Sequence, residues 1–137
     1  SSVVTGSTGS KMVILKLSRP VLFRFKPGQY AFLRVNEIDN SWHPFAIASY
    51  PDSSQLEFYI EVYEGKAWTK TLWDLLEANN ENGAASRLQL IVEVMGPYGT
   101  SLAKTEDYSH ILAVGAGTGM SIVTTESRNV LKPDLTI

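Results

Sequence analysis

Three consecutive residues, His43, Pro44 and Phe45, combine side chains that could hold a flat ligand. The ring of Phe45 can stack on an aromatic ligand, and the imidazole of His43 can donate a hydrogen bond to a ligand oxygen. Small residues at positions 46 and 48 would let such a ring lie close to the backbone. The alternative is structural: Pro44 has no amide hydrogen, so this segment could be a strand that bends at a sheet edge.

A second candidate is the segment YEGKAWTKTL, residues 63 to 72, which combines a glycine, a hydroxyl and two lysines. If a helix begins here with Thr69 as its N-cap, its free amides, Gly65 and Thr69 could bind phosphate oxygens. Lys66 and Lys70 could add positive charge. The same residues also suit a plain connection from a hairpin to a helix.

Two glycine-containing segments complete the candidates. MGPYGTS, residues 95 to 101, indicates turns and nothing more on its own. GAGTGMS, residues 115 to 121, follows an apolar run, where glycines would allow a nucleotide to approach the backbone. The sequence contains no paired carboxylates, Ser-His-Asp order or metal-ligand cluster, so an enzyme built on it would use a cofactor for its chemistry.

These candidates would be positioned mainly by β-strands. Apolar or alternating patterns predict strands over residues 11 to 17, 56 to 62 and 87 to 94. Residues 21 to 35 contain two further alternating runs, which a type II turn at Pro27 and Gly28 would join. Several short strands at this spacing predict an antiparallel barrel or sandwich. One helix interrupts them: Trp68, Leu72, Leu75 and Leu76 have helical spacing, and Gly83 lies beyond the end.

The pattern changes near residue 106. Ile111 to Val114 is predicted to be a continuous apolar strand that enters the glycine-rich turn, which is how a parallel α/β unit begins. Such a nucleotide-binding half needs roughly 100 residues or more. We therefore expect a β domain over residues 1–105 and the incomplete start of an NAD(P)-binding α/β domain over 106–137.

Composition excludes several classes of protein. The 137 residues carry a net charge of −2 and no cysteine, so there is no global basic field for nucleic acid or anionic lipid, and no disulfide, iron–sulfur or thiolate site. A local basic patch is not excluded by this balance. The two histidines are far apart, so no metal site is expected. No apolar run approaches the ~20 residues of a membrane span, and we expect no segment that inserts into a membrane by itself.

The order of the segments is more specific than any one of them. KPGQY, WHPFAIAS, YIEVYEGKAWTKTL, VMGPYGTS and ILAVGAGTGMS, in this order over residues 11 to 123, resemble the FAD-binding module of the ferric reductase and NADPH oxidase family, within the ferredoxin–NADP reductase superfamily. The resemblance implies a mainly β fold: a six-stranded antiparallel Greek-key barrel with one capping helix that binds FAD. An α/β domain that takes NADPH would follow it.

The resemblance also implies roles for residues. The isoalloxazine would lie against Phe45, with His43 and Pro44 shaping its edge and residue 46 near the flavin N5. Trp68 and Thr69 would hold the pyrophosphate. Residues around Ile60 would lie along the phosphate and adenine, and the glycine turn would approach the nicotinamide. The full set of implied cofactor-binding residues is His43, Pro44, Phe45, Ala46, Ile47, Tyr59, Ile60, Glu61, Gly65, Trp68, Thr69, Gly115, Gly117, Thr118, Gly119 and Ser121.

The implied function is electron transfer. NADPH would reduce FAD, and electrons would pass singly to haem in an upstream transmembrane domain of the same protein, then to ferric iron or dioxygen. The module would lie at the cytosolic face of a membrane, and alone it would show little NADPH turnover. Two alternatives stay open: a soluble ferredoxin-reductase-like flavoenzyme, and a flavin-free barrel that acts as an interaction module.

Three positions depart from the family pattern. Ala46 stands where Ser or Thr is usual, so a hydroxyl near N5 is lost. Glu61 stands where the family often has a basic residue, so it either points away from the pyrophosphate or weakens FAD binding. Ser121-Ile122 replaces the usual Thr-Pro pair. The tail after residue 123 does not match the rest of an NADPH domain, which fits either truncation or internal deletion.

Overall fold

The computed structural model describes residues 2–5, 11–65, 67–81, 90–102, 107–120 and 122, and for residues 2–5 it describes the backbone only. The chain is mainly β with one long helix. Its elements are β1 (Ser2–Thr5), β2 (Lys11–Ser18), β3 (Tyr30–Val35), β4 (His43–Ala46), β5 (Gln55–Val62), α1 (Trp68–Glu81), β6 (Val92–Tyr98) and one turn of 3-10 helix at Gly117–Gly119. No helix in the described ranges has the length and apolar character needed to cross a bilayer.

The strands form two antiparallel sheets of three strands each, in the orders β1-β2-β5 and β4-β3-β6. Strand β2 pairs with β5 along its whole length, from Lys11 opposite Val62 to Ser18 opposite Gln55. The chain crosses between the sheets just after β4, where Ile47 N–H donates to Gln29 O and Ala48 N–H donates to Glu57 O. The antiparallel β fold with one helix is therefore confirmed, while closure into a Greek-key barrel stays a prediction.

The core follows from strand alternation. Leu56, Phe58, Ile60 and Val62 of β5 are all buried, as the period of two predicts. They pack in one cluster with the inward residues of β2 and β3 and with one face of α1. That helical face comprises Trp68, Leu72, Trp73 and Leu76. The helix therefore covers the core from one side, and its first residue is part of the core.

Helix α1 begins one residue earlier than Thr69 and is not capped by it. The carbonyl of Ala67 accepts from the amides of Lys70 and Thr71, which makes Ala67 the last residue before the helix. The Thr69 hydroxyl instead accepts a hydrogen bond from the Tyr63 amide, at 3.1 Å. The prediction of Thr69 as the N-cap is therefore wrong, because this hydroxyl fixes the preceding loop instead. Gly83 lies outside the described residues.

The turn at Lys26–Gln29 is confirmed. Gly28 has φ +87°, which the third position of a type II turn requires, and Gln29 N–H donates to Lys26 O. The run before it, residues 21 to 26, is not a strand. Val21 and Leu22 are instead the central residues of a second turn, in which Phe23 N–H donates to Pro20 O.

Strand β6 continues through the segment in which glycine and proline indicate turns. It extends to Tyr98, and a one-residue shift in its pairing with β3 falls between Tyr30 and Phe32. Gly96 lies in this bulge with φ +148°, and a Cβ there would come within 3.3 Å of the β3 backbone. The bulge explains why glycine and proline occur inside a strand here. The strand predicted over residues 87 to 94 begins at Val92 instead, and Leu88 lies outside the described residues.

The predicted strand over Ile111–Val114 does not form. These residues have no regular structure, and Leu112 and Val114 are almost fully exposed. A buried parallel strand needs partner strands on both sides and helices above and below. Within the described ranges, no strand pairs with this segment.

Candidate functional site

The inner face of β4 and the start of α1 bring three of the predicted site residues together. The rings of His43 and Phe45 both stack on the indole of Trp68, with centroid distances of 4.5 and 5.7 Å and interplanar angles of 29°. We call these residues the aromatic stack. The stack places one flat surface from the strand and one from the helix at the same point of the fold.

Strand geometry explains why His43 and Phe45 face the helix. In the antiparallel pairing, His43 lies opposite Leu33 and Phe45 opposite Ala31, and both partners face the core. Residues paired directly share a face, so the side chains at 43 and 45 point inward too. The side chains at 44 and 46 then point to the outer face.

Pro44 occupies the place expected of a strand proline. Strand β4 is an edge strand of its sheet, and Pro44 is exposed opposite Phe32. Proline at an edge removes no central hydrogen bond. The two interpretations of this segment are therefore compatible: it is an edge strand with a proline, and its inward rings still form a flat surface.

Two polar atoms of the stack are buried without a hydrogen-bond partner. His43 Nε2 and Trp68 Nε1 have no partner among the described residues, and the carboxylate oxygen of Asp39 is 4.0 Å from Nε2. Buried polar atoms are paired in most proteins, so an unpaired atom calls for an explanation. Both atoms are hydrogen-bonding groups that a polar, aromatic ligand could satisfy if the stack opened.

The first turn of α1 lies beside the stack. Amides in the first turn of a helix have no partner within the helix and carry partial positive charge, which suits phosphate oxygens. Gly65 lies in the preceding loop, and a Cβ there would meet nothing within 4 Å. The space around Gly65 is therefore open, and this loop leads into the first turn of the helix.

Lys70 contributes less free charge than the sequence indicates. Its ammonium group lies 2.5 Å from Asp74 Oδ1, and this hydrogen bond raises the pKa of Lys70 above its ordinary value. A lysine that is already neutralised by a carboxylate attracts an anion weakly. Lys66 lies outside the described residues.

Strand β5 divides its predicted site residues between two faces. Ile60 is 1% exposed and belongs to the core, as does Ile47 after β4. Tyr59 and Glu61 alternate with the buried residues and are half-buried on the outer face. Because α1 packs on the inner face, the structure places Ile60 on the helix side and the Glu61 carboxylate away from it.

The glycine-rich turn lies against β5 as a single 3-10 turn, Gly117–Gly119. Gly119 N–H donates to Ala116 O, and a Cβ at Gly117 or Gly119 would meet nothing within 4 Å. Gly115 and Thr118 are half-buried. The turn therefore lies against the same strand as Ile60, around which the family resemblance places the adenine. Ser121 lies outside the described residues.

Sequence reasoning missed two contributors to this region. Asp39 is the charged group next to His43, and the Tyr63 amide fixes Thr69. The approach of Asp39 to His43 depends on the loop between β3 and β4, because four-residue spacing brings side chains together only on a helix. The second depends on the loop conformation and has no signal in the sequence. No cluster of three or more potential metal ligands occurs in the described part of the chain.

Comparison with known proteins is consistent with this geometry. Residues 3–102 match the model of a family described as "FAD-binding domain". A superoxide-generating NADPH oxidase heavy chain of Dictyostelium discoideum is 34% identical over 107 residues, which is 72% of this chain and 20% of that protein. Human NADPH oxidase 5 is 25% identical over 140 residues, covering 82% of this chain and 18% of its own length.

A bacterial reductase is also similar. The ferredoxin–NAD(P)(+) reductase component of the naphthalene 1,2-dioxygenase system of Pseudomonas putida is 29% identical over 122 residues, 89% of this chain and 33% of that protein. The chain therefore spans between about a fifth and a third of the length of these relatives.

Proposed function

Because the chain belongs to the FAD-binding domain family, we propose that it binds FAD where β4 meets the start of α1. The observation that carries this proposal is the aromatic stack of His43, Phe45 and Trp68 beside the first helical turn. A flat apolar surface next to free helical amides matches a ligand with an aromatic ring at one end and a pyrophosphate in its middle.

The stack must open to admit a ring against Phe45. A ring held between two others needs about 3.5 Å on each side, or about 7 Å between the outer rings. The centroids of Phe45 and Trp68 are 5.7 Å apart, so no ring fits between them as they stand. We propose that Trp68 moves aside, that the isoalloxazine takes its place on Phe45, and that the freed indole N–H reaches the pyrophosphate.

The remaining polar contacts follow from the same placement. The unpaired Nε2 of His43 would donate to a ligand oxygen, and the amides of the first turn, with Thr69 and Gly65, would hold the pyrophosphate. The backbone of Pro44 and Ala46 would border the flavin edge, since both side chains point to the outer face. The family resemblance supplies the other proposed contacts: Ile47, Tyr59, Ile60, Gly115, Gly117, Thr118, Gly119 and Ser121, of which Ser121 lies outside the described residues. Glu61 belongs to the same implied set, but its carboxylate is on the outer face of β5, away from α1.

In the intact protein we propose that this module carries electrons from NADPH through FAD to haem, and then to ferric iron or dioxygen. FAD, when bound, supplies hydride acceptance and one-electron release. The residues described above would bind and orient the cofactor and exclude water, and no acid–base pair is required of them. The similarity to NADPH oxidases over most of the chain supports this assignment.

The architecture proposed for that protein has three parts. Residues 1–105 form a six-stranded Greek-key barrel capped by α1, and residues 106–137 belong to the start of an NADPH-binding α/β domain. An upstream transmembrane domain holds the haem. The module sits on the cytosolic face of the membrane. We expect purified chain with added FAD to show no NADPH-driven dye reduction, because Ile111–Val114 forms no strand; robust reduction would contradict this.

A titration of the purified 137-residue chain with FAD tests the site. We expect saturable binding, seen as a shift of the flavin absorption bands. Phe45→Leu should weaken it about 2- to 10-fold, since a ring–ring contact contributes roughly 0.5–1.5 kcal/mol beyond its area. The matched control is Phe32→Leu on the neighbouring strand, whose ring contacts Tyr30 and Tyr98 instead.

Equal weakening by both variants would place the flavin elsewhere. No binding at tens of micromolar FAD would favour the flavin-free interaction module, in which Trp68 stays stacked. The similarity to the bacterial reductase component favours a second candidate, a soluble flavoenzyme that reduces a small redox protein. A haem-bearing membrane region encoded upstream in the full gene would decide between that enzyme and a flavohaem reductase.

A further inference from the structure

The loop between β2 and β3 displays two apolar side chains to solvent. Val21 is 87% exposed and Leu22 is 90% exposed. They are the two central residues of the turn closed by Phe23 N–H and Pro20 O, where glycine, proline, asparagine and aspartate are usual. The fold therefore holds two aliphatic side chains outward at a position that normally carries polar residues.

The turn is firmly held at its base. Phe25 is buried in the core, and Phe23 packs against both the core and Phe25. On the other side, Arg19 N–H donates to Ser54 O, and the Arg19 guanidinium donates to Pro51 O. Val21 and Leu22, by contrast, are 87% and 90% exposed, and we call this pair the apolar tip.

Next to the tip lies an uncompensated basic patch. Residues 19 to 29 contain three cations and no carboxylate. Arg19 is bound to the turn that also carries Asp52, so it is not counted as free. Arg24 and Lys26 are exposed, and neither forms an ion pair with any described residue.

Arg24 and Lys26 also line a pocket of about 380 Å³, together with Phe25, Gln29, Pro97 and Ser101. Since a water molecule takes about 30 Å³ in the liquid, this pocket can hold a phosphate group with several waters. Two hydrogen bonds fix its walls: Gln29 Nε2 donates to Gly99 O at 2.9 Å, and Leu102 N–H donates to Pro27 O at 3.1 Å.

We propose that the segment Arg19–Gln29 docks this domain on an anionic phospholipid surface. The apolar tip enters the boundary between headgroups and acyl chains, and Arg24 and Lys26 bind lipid phosphates. The combination of two exposed aliphatic residues with two unpaired cations matches a bilayer interface better than a globular partner, because that interface presents an apolar layer beneath a layer of anionic headgroups. This is a peripheral contact, distinct from a segment that spans the membrane.

The affinity expected for this membrane contact is low. Each basic side chain near an anionic surface changes binding by about fivefold, and two aliphatic side chains supply less than one lipid chain. The net charge of −2 opposes approach at long range. The segment would therefore orient a domain that is already held near a membrane. It includes no residue of the proposed FAD site, so the two proposals fail independently.

Sedimentation with vesicles of phosphatidylcholine, alone or with about one third phosphatidylserine, tests the proposal. The full 137-residue chain should bind the anionic vesicles, bind the neutral ones far less, and be released by high salt. Arg24→Gln with Lys26→Gln should weaken binding by about tenfold or more. Val21→Ser with Leu22→Ser should do so by a similar factor.

Leu112→Ser with Val114→Ser is the matched control, because these side chains are 91% and 86% exposed in another segment. This pair should leave vesicle binding within about twofold. The proposal is overturned if the chain binds neither vesicle, if neutral vesicles bind equally well, or if the control pair weakens binding as much as the apolar tip. All six positions are exposed, so circular dichroism should show unchanged folding in each variant.

Discussion

Trp68 stacks on the imidazole of His43 with a centroid distance of 4.5 Å, and this contact joins the first residue of the helix to the first residue of β4. The same indole covers Phe45. The surface proposed for the isoalloxazine is therefore covered by a residue of its own site. FAD and Trp68 would compete for one face of Phe45, and this competition has a kinetic consequence.

We expect Trp68→Leu to accelerate FAD association by about fivefold or more, because opening the stack costs two ring contacts of roughly 0.5–1.5 kcal/mol each. Stopped-flow mixing with FAD measures the rate. Trp42→Leu is the control, since Trp42 lies over the Arg34 guanidinium and not over β4. An unchanged association rate in Trp68→Leu would mean that the flavin reaches Phe45 without displacing the indole.

Ala46 should matter less than its place in the motif indicates. It pairs with Tyr30, and strand alternation puts its side chain on the face opposite Phe45. A hydroxyl added by Ala46→Ser would therefore point away from the proposed ring. We expect its dissociation constant for FAD to stay within about twofold of the parent chain. Tightening of tenfold or more in an equilibrium titration would show that the side chain reaches N5.

Glu61 should have little effect on FAD binding. Its carboxylate is on the outer face of β5, whereas α1 begins on the inner face. With the charge pointing away, Glu61→Gln should change FAD affinity by less than about threefold at physiological salt. Glu57→Gln, on the same face of the same strand, serves as the comparison. A much larger gain for Glu61→Gln alone would indicate repulsion of the pyrophosphate.

Glu93 is expected to contribute to acid unfolding. Hydrogen bonds from Arg34 and Asn36 lower the pKa of Glu93 below its ordinary value of 4.5. A depressed pKa means that its stabilisation is present above about pH 4.5 and is lost as pH falls through the folded-state value. Glu93→Gln should therefore lose less stability than the parent chain between about pH 6 and pH 3, measured by urea unfolding.

Glu37→Gln is the control for that experiment. Glu37 is exposed and forms no ion pair with any described residue. The free energy of unfolding of Glu37→Gln should match that of the parent chain at every pH. The assignment to Glu93 would be wrong if both variants showed the same pH profile.

Patterns with a short period were predictable from sequence. The alternation in β5 and the spacing in α1 indicate the correct buried faces, and the KPG turn is located with its positive φ at Gly28. These features depend on neighbours within a few residues. The identity of the FAD family was also accessible, because five motifs in a fixed order are more specific than any one of them.

Features that depend on distant partners were not predictable. Strand β6 passes through glycine and proline because the bulge against β3 accommodates them. Residues 21 to 26 alternate as a strand would, yet Phe23 and Phe25 anchor a loop. The family resemblance assigns Trp68 to phosphate binding, but its stacking on β4 depends on the angle between helix and sheet, which local patterns do not encode.

The hydrogen bond from Leu102 N–H to Pro27 O joins positions 75 residues apart (102 − 27), and β3 meets β6 over a similar separation. Contacts this distant in sequence can form only after the intervening chain has been brought together, which slows folding. Leu102 also packs against Gly28. We therefore expect the β3–β4 hairpin to form early. The walls of the pocket lined by Arg24 and Lys26 should form last. The pocket is then also the part of the domain whose amide hydrogens should exchange at the lowest opening cost.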